Sequence, residues 1–183
     1  LSQVLFGVSF RIEAGQVVVL LNAGASAINI NILNGDQSVF TRDISIGGNA
    51  YTEALQKELN LPFENADLLK RGQDVEGATY DDARPVLRAV TENVMLEIQK
   101  TFDFFKATSA SDPVSLIELT GGAARTPNLM SYLSRRFETQ VEMMNPFRNI
   151  QISERAFPPD KLEPMAAAAT VAGGLALRKV GDK

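Results

Sequence analysis

Residues 17–44 read VVVLLNAGASAININILNGDQSVFTRDI, and this stretch decides what kind of sheet the chain builds. Val17 to Leu21 is an unbroken apolar run, the pattern of a strand buried on both faces. From Ala27 to Leu33 the residues alternate, so Ile28, Ile30 and Ile32 share one face and Asn29 and Asn31 the other. Asn34-Gly35 is a type I′ hairpin signal, and Ser38 to Ile44 supplies the returning strand. The opening is an antiparallel meander. Between its first two strands lies a turn of small residues, Asn22-Ala23-Gly24-Ala25-Ser26. Bare backbone N–H groups there can cradle phosphate oxygens, and Ser26 adds a hydroxyl. The plain reading of the same residues is a tight β-turn. Asn22 is the last side chain its strand delivers. A carboxylate at that point would hold Mg²⁺ through water, whereas an amide accepts a hydrogen bond and supplies no charge.

A second glycine-bearing turn follows about a hundred residues later, in Ile117-Glu118-Leu119-Thr120-Gly121-Gly122-Ala123-Ala124-Arg125. It ends an apolar run, and α/β folds place ligands at the carboxyl ends of strands. Gly121 and Gly122 would let the backbone lie flat against an adenine or an α-phosphate; otherwise they form an ordinary strand-to-helix turn. The GxGxxG fingerprint is absent, since the third glycine and the downstream acid are missing, which argues against a Rossmann oxidoreductase. A third element is Ala66-Asp67-Leu68-Leu69-Lys70-Arg71. Asp67 and Lys70 share a helix face, so the acid can accept from ribose hydroxyls while the lysine lies over a base. Taken alone they are an exposed ion pair.

The remaining elements follow from period and punctuation. Asn49 is the expected N-cap of a helix carrying Tyr51, Leu55 and Leu59, ended by Leu61-Pro62. Phe63 to Arg71 reads as a short helix closed by Gly72, and residues 72–82 as a loop. Pro85 is placed as the first-turn proline of a long helix whose stripe is Leu87, Val90, Val94, Ile98, Phe102 and Phe105. With Phe104 its phenylalanines could suggest a ligand box, but helical period marks core packing. Ser111-Asp112-Pro113 breaks that helix and Val114 to Leu119 is a strand. Thr126-Pro127 starts a helix with Leu129, Met130, Leu133 and Phe137 inward. Val141 to Met144 is a short strand, 153–164 a loop, and Met165 to Leu177 a helix of small residues. Residues 1–12 show no clean pattern. The order describes an α/β chain.

The chain has no cysteine and no histidine. That excludes disulfides, thiolate nucleophiles, Cys/His zinc sites and imidazole-based triads. A net charge of −4 with scattered basic residues gives no face for nucleic acid. The stretch from Met165 to Leu177 is shorter than the roughly 20 residues of a membrane-spanning helix. No signal-peptide pattern is visible, and the lack of a disulfide framework fits the cytoplasm. The start at Leu1, close to a strand, reads as a piece of something longer.

In sequence order, the meander, the Gly-Gly helix start, the A-x-x-L-K helix, the long helix and the strand ending T-G-G-A-A-R resemble the second lobe of the actin/Hsp70/sugar-kinase superfamily. Several strings are similar to the PilM family of actin-like pilus assembly proteins, related to the division protein FtsA, over about residues 15–180. They are Leu21 to Ser26, Phe40-Thr41-Arg42, Gly47-Gly48, Thr52-Glu53, Leu119 to Ala123, Asn145-Pro146-Phe147 and Gly174 to Arg178. The resemblance implies a ribonuclease H-like lobe: a mixed sheet with an antiparallel opening meander, flanked by helices. It divides the chain into a core of residues 1–49 and 83–183 and an inserted helical subdomain of 50–82.

The same resemblance implies ATP or ADP with Mg²⁺, bound in the full-length protein by Asn22, Ala23, Gly24, Ala25, Ser26, Asp67, Lys70, Gly121, Gly122, Ala123 and Arg125. The family's usual acid at the first turn is Asn22 here, and the first lobe is not in the chain. Nucleotide binding is therefore expected ahead of efficient hydrolysis, with no catalytic residue and no protein metal ligand assigned. The implied role is a scaffold of the type IV pilus inner-membrane platform. It would be cytoplasmic, held peripherally to the inner membrane through a PilN-like cytoplasmic peptide and through motor or platform proteins. An ATPase or small-molecule kinase of the superfamily is the alternative, and an actin-like filament former a third reading.

Overall fold

A computed structural model describes residues 15–35, 37–108, 113–147 and 159–176, the side chains of 159–164 excepted. The readings made for residues 1–12, Ser111-Asp112 and Leu177-Arg178 lie outside the described residues. The elements run β1 (Val17–Ala23), β2 (Ile28–Asn34), β3 (Gln37–Ile44), α1 (Gly48–Leu59), α2 (Phe63–Lys70) and α3 (Tyr80–Thr108). Then come β4 (Val114–Thr120), a 3₁₀ turn (Gly122–Arg125), α4 (Leu129–Phe137), β5 (Gln140–Met143) and α5 (Pro159–Ala176).

The strands form one mixed sheet in the order β3-β2-β1-β4-β5. The first three pair antiparallel, as the alternation predicts, while β1–β4 and β4–β5 are parallel. Helices supply the crossovers that parallel neighbours need. One face of the sheet presents Val17, Val19, Leu21, Ile28, Ile30, Ile32, Ile117 and Leu119 to a core shared with Tyr51, Leu55, Leu69, Ile98 and Phe102. The other face carries a smaller cluster of Val18, Leu20, Leu33 and Met144, with Leu116 and Val171 of α5 against it. Because β1 is buried on both faces it reads as a continuous apolar run.

Several boundaries differ from the sequence reading, each for a local reason. Asn34 pairs with Gln37, so it is the last residue of β2 rather than the first of the turn, and the β2–β3 register shifts between Ile32 and Leu33. Helix α1 starts at Gly48 with Gly47 as N-cap; Asn49 is inside it and donates its backbone N–H to Ala25 O. Helix α3 begins at Tyr80, within the expected loop, and Pro85 lies inside it. A reciprocal cap explains this. The Thr79 N–H and hydroxyl donate to Asp82 Oδ2 at 2.9 and 2.7 Å, and the Asp82 N–H returns to Thr79 Oγ1.

The second glycine turn enters a 3₁₀ turn before α4, whose N-cap is Asn128 at φ 66° rather than Thr126. That shift of start leaves Leu129 and Leu133 buried and Met130 exposed. Phe137 is half-buried against Phe102, with ring centroids 4.7 Å apart. Phe102 and Phe105 are core, but Phe104 is exposed and rests on Phe40. The α5 backbone is helical from Pro159, so residues 159–164 of the expected loop are helix, and 153–158 lie outside the described residues.

Ile98 sits where α3 crosses the sheet and has no exposed surface. Ile98→Ala is expected to lower unfolding stability by about 2–5 kcal/mol, through lost transfer energy plus a cavity. Urea denaturation checks this: the midpoint falls while the slope stays constant.

Candidate functional site

In the register of β1 and β4, Asn22 lies opposite Thr120. Two turns far apart in sequence therefore leave the sheet side by side, at the carboxyl ends of adjacent parallel strands, where α/β sheets form their crevice. The first turn is tied down by the start of α1. Gly24 N–H bonds Ala27 O, Gly48 N–H bonds Gly24 O and Asn49 N–H bonds Ala25 O, at 2.9, 2.9 and 2.7 Å. The helix N-terminus thus holds the loop by its carbonyls. A Cβ on Gly47 would stand 2.7 Å from the Ala25 carbonyl carbon, so only glycine allows this approach. Ala25 and Ser26 are exposed, and their amides are not among the backbone bonds that fasten the turn.

Gly121 has φ 93°, and a Cβ on it would stand 2.6 Å from both Asn22 Oδ1 and the Ala23 carbonyl carbon. The two turns touch through this residue. Helix α5 fastens the second turn from outside, with Ala167 O accepting from Gly121 N–H at 2.8 Å and from the Thr120 hydroxyl at 2.9 Å. Thr170 meets the same hydroxyl at 2.6 Å.

Beside these turns opens a cavity of about 610 Å³. Of the residues singled out from the sequence, Ala25, Asp67, Lys70, Gly122, Ala123 and Arg125 line it. Asn22, Ala23, Gly24, Ser26 and Gly121 do not; Asn22, Ala23 and Gly121 form the joint between the turns. Gly48, Asn49, Arg71, Thr126, Ala167 and Ala168 complete the lining and were missed. The Gly47-Gly48-Asn49 string was the available signal for α1, since two glycines opening a helix permit close approach. The small-residue α5 carries no comparable mark.

Lys70 Nζ bonds Asp67 Oδ1 at 2.6 Å and Thr52 Oγ1 at 2.8 Å, so the ammonium braces α2 against α1 at the cavity wall. Arg71 pairs with Asp67 Oδ2. Burial pushes the Asp67 pKa up, but the Lys70 hydrogen bond and charge, with those of Arg71, outweigh it and hold the carboxyl below its ordinary range. Among the described residues, the lining brings Lys70, Arg71 and Arg125 together with the carboxylate of Asp67, and its Gly and Ala surfaces leave room for a flat ring. A second, larger hollow of about 750 Å³ lies between the start of α3 and Pro127–Tyr132. It holds none of the predicted residues, and its Asp81 and Glu92 balance Arg84 and Arg88, so the smaller cavity has the stronger chemical claim.

Among the described residues no group of three or more His, Cys, Asp or Glu is placed to hold a metal ion. Among them, too, no helix is long and apolar enough to cross a membrane.

A family model described as Type IV pilus assembly protein PilM matches residues 11–180. Among solved structures, a PilM-PilN type IV pilus biogenesis complex superposes with a TM-score of 0.81 at 26% identity, over 93% of this chain and 48% of the other. MreB5 of Spiroplasma citri bound to ADP gives 0.65 at 14%, over 96% and 57%. Ta0583, an archaeal actin homolog, gives 0.62 at 14%, over 94% and 51%. The last two share the fold alone, which is therefore actin-like. The chain spans about half the length of these solved chains.

Gly121→Ala is expected to destabilise by more than ~2 kcal/mol, because an L side chain is strained at that φ and its methyl meets backbone; thermal unfolding reads this as a lower Tm. Asp67 has a depressed folded pKa, so its stabilisation is present above the unfolded value and is lost as pH falls through the folded one. Asp67→Asn should accordingly flatten the acid limb of a stability-versus-pH curve while leaving its shape near neutrality unchanged.

Proposed function

The chain belongs to the type IV pilus assembly protein PilM family, and on that premise we propose that it forms one wall of a nucleotide site in an actin-like scaffold for pilus assembly. The observation that carries this reading is the meeting of Ala25, Asp67, Lys70, Gly122, Ala123 and Arg125 around one cavity. Its volume falls among those of small-molecule sites, roughly 300–1,000 Å³. The backbone at Gly122 and Ala123 lies against the base, Asp67 accepts from ribose hydroxyls, and Lys70 and Arg125 face the anion. The exposed amide of Ala25 donates to phosphate oxygens.

Mg²⁺ accompanies the phosphates of ATP or ADP and neutralises them, without a charged ligand from residue 22. The enzyme alternative, an ATPase or small-molecule kinase, needs charge at that end of the cleft, and Asn22 supplies none. Nucleotide binding rather than turnover is the function, biasing the angle between this lobe and a second one by population shift. Residues 50–82 act as a small helical subdomain closing the cavity from one side. A protein matching this chain is solved as a PilM-PilN complex. By the same kinship the partner is a PilN-like cytoplasmic peptide of the inner-membrane platform, with motor or platform proteins beyond it. The scaffold works on the cytoplasmic face of that membrane.

Titration of the complete two-lobed protein with ADP and ATP, with and without Mg²⁺, tests the reading. Lys70→Ala is expected to raise Kd about tenfold, equivalent to one lost charge-assisted hydrogen bond. A Cβ on Gly122 has open space around it, so Gly122→Val should fold normally and still obstruct the base. Wild-type affinity in both variants would remove the site.

A further inference from the structure

Asn22 does not line the cavity, yet its oxygen lies against Gly121, and a row of side chains across three strands holds it there. In register, Asn22 of β1 faces Asn29 of β2, which faces Asp43 of β3. Asn22 Nδ2 donates to Asn29 Oδ1 at 3.0 Å, and Asn29 Nδ2 donates to Asp43 Oδ1 at 2.8 Å. The direction of every bond follows from one end. A carboxylate offers only acceptors, so Asn29 must turn its NH₂ toward Asp43. Its carbonyl oxygen then faces β1, and residue 22 must present a donor. An amide does so, and its own oxygen is left pointing at the joint between the two turns, where a Cβ on Gly121 would approach it to 2.6 Å.

We infer that Asp43, acting through Asn29, is a positioning residue that sets the polarity of the Asn22 amide and bars a carboxylate from position 22. The relay follows from the geometry alone; its bearing on function rests on the nucleotide reading above, where it keeps fixed negative charge away from the phosphate end of the cleft. With aspartate at 22, the row becomes carboxylate, amide, carboxylate. One NH₂ cannot face both ends, so one contact becomes acceptor against acceptor whichever way Asn29 turns. Asparagine at 43 removes the conflict. Asn29 can then donate to the introduced carboxylate on β1 and accept from the introduced amide on β3, the same chain running in reverse.

The test is a double-mutant cycle on the full chain, read by thermal unfolding. Asn22→Asp alone is expected to lower Tm by about 2–8 °C. Asp43→Asn alone should change it little, and the Asn22→Asp/Asp43→Asn protein should recover at least half of the loss. Asn22→Ser is the control, because a hydroxyl donates or accepts and should behave alike with or without Asp43→Asn. A double variant no more stable than Asn22→Asp, or an Asn22→Asp protein as stable as wild type, overturns the relay. If Asn22→Asp does not fold, a folded double variant supports the relay and an unfolded one sinks it.

A second readout separates this inference from the nucleotide reading. In the two-lobed protein, the double variant should bind ADP more weakly than wild type without Mg²⁺, by roughly tenfold for one adjacent like charge, and regain affinity when Mg²⁺ is added. Failure of every form to bind ADP would defeat the nucleotide site and leave the thermal cycle standing. Normal ADP binding with an additive cycle would defeat the relay alone.

Discussion

The parallel pairing of β1 with β4 governs the rest of the molecule. These strands supply the centre of the sheet, and their side chains are covered by helices on one face and by the smaller cluster and α5 on the other. With both faces buried, the register is held by how the side chains of each layer interlock with their neighbours, since close-packed interiors leave few alternative fits. Once Asn22 stands opposite Thr120, the two small-residue turns have to emerge together. The α1 N-terminus then has a loop to hold, and α5 has a strand end to fasten. Without that adjacency the glycines would be two unrelated bends.

Around this joint the polar groups divide into those that brace and those that face open space. Lys70 connects α2 to α1 through Asp67 and Thr52, and Thr52 is itself buried. The ammonium has three protons, and these bonds account for two. A partly screened cation held by a carboxylate loses less to rearrangement on meeting an anion than a freely moving surface lysine does. The same reasoning separates the two hollows: one gathers positive charge beside bare backbone, while the other is balanced and lined with exposed helix.

What could be read from the sequence was what repeats. Alternating isoleucines marked β2 and its inward face, and the spacing from Leu87 to Phe105 marked α3 and its core stripe. Features made by a few residues escaped. The start of α3 depends on a Thr79–Asp82 cap in which aspartate replaces the more familiar glutamate, and Pro85 drew the boundary too far downstream. A 3₁₀ turn of four residues is too short to show a period, and it rotated α4 so that Met130 faced outward. Around the cavity, Asp67, Lys70, Gly122 and Ala123 were legible because each stands in a short local string. Gly48, Ala167 and Ala168 were not, because what they contribute is proximity, and proximity comes from crossovers between strands. Within the first turn, Asn22 spends its side chain on Asn29 and on the joint with Gly121, while Ala25 reaches the cavity lining.

Six of the twelve described residues lining the smaller cavity are glycine or alanine. Such residues have no rotamers to surrender, whereas immobilising a long side chain costs about 0.5–1.5 kcal/mol. That half of the wall is therefore entropically silent: there an incoming molecule meets a surface already in its final shape. The cost of ordering falls chiefly on the guest, so discrimination among guests of similar outline is left to the few charged side chains of the lining, Asp67, Lys70, Arg71 and Arg125.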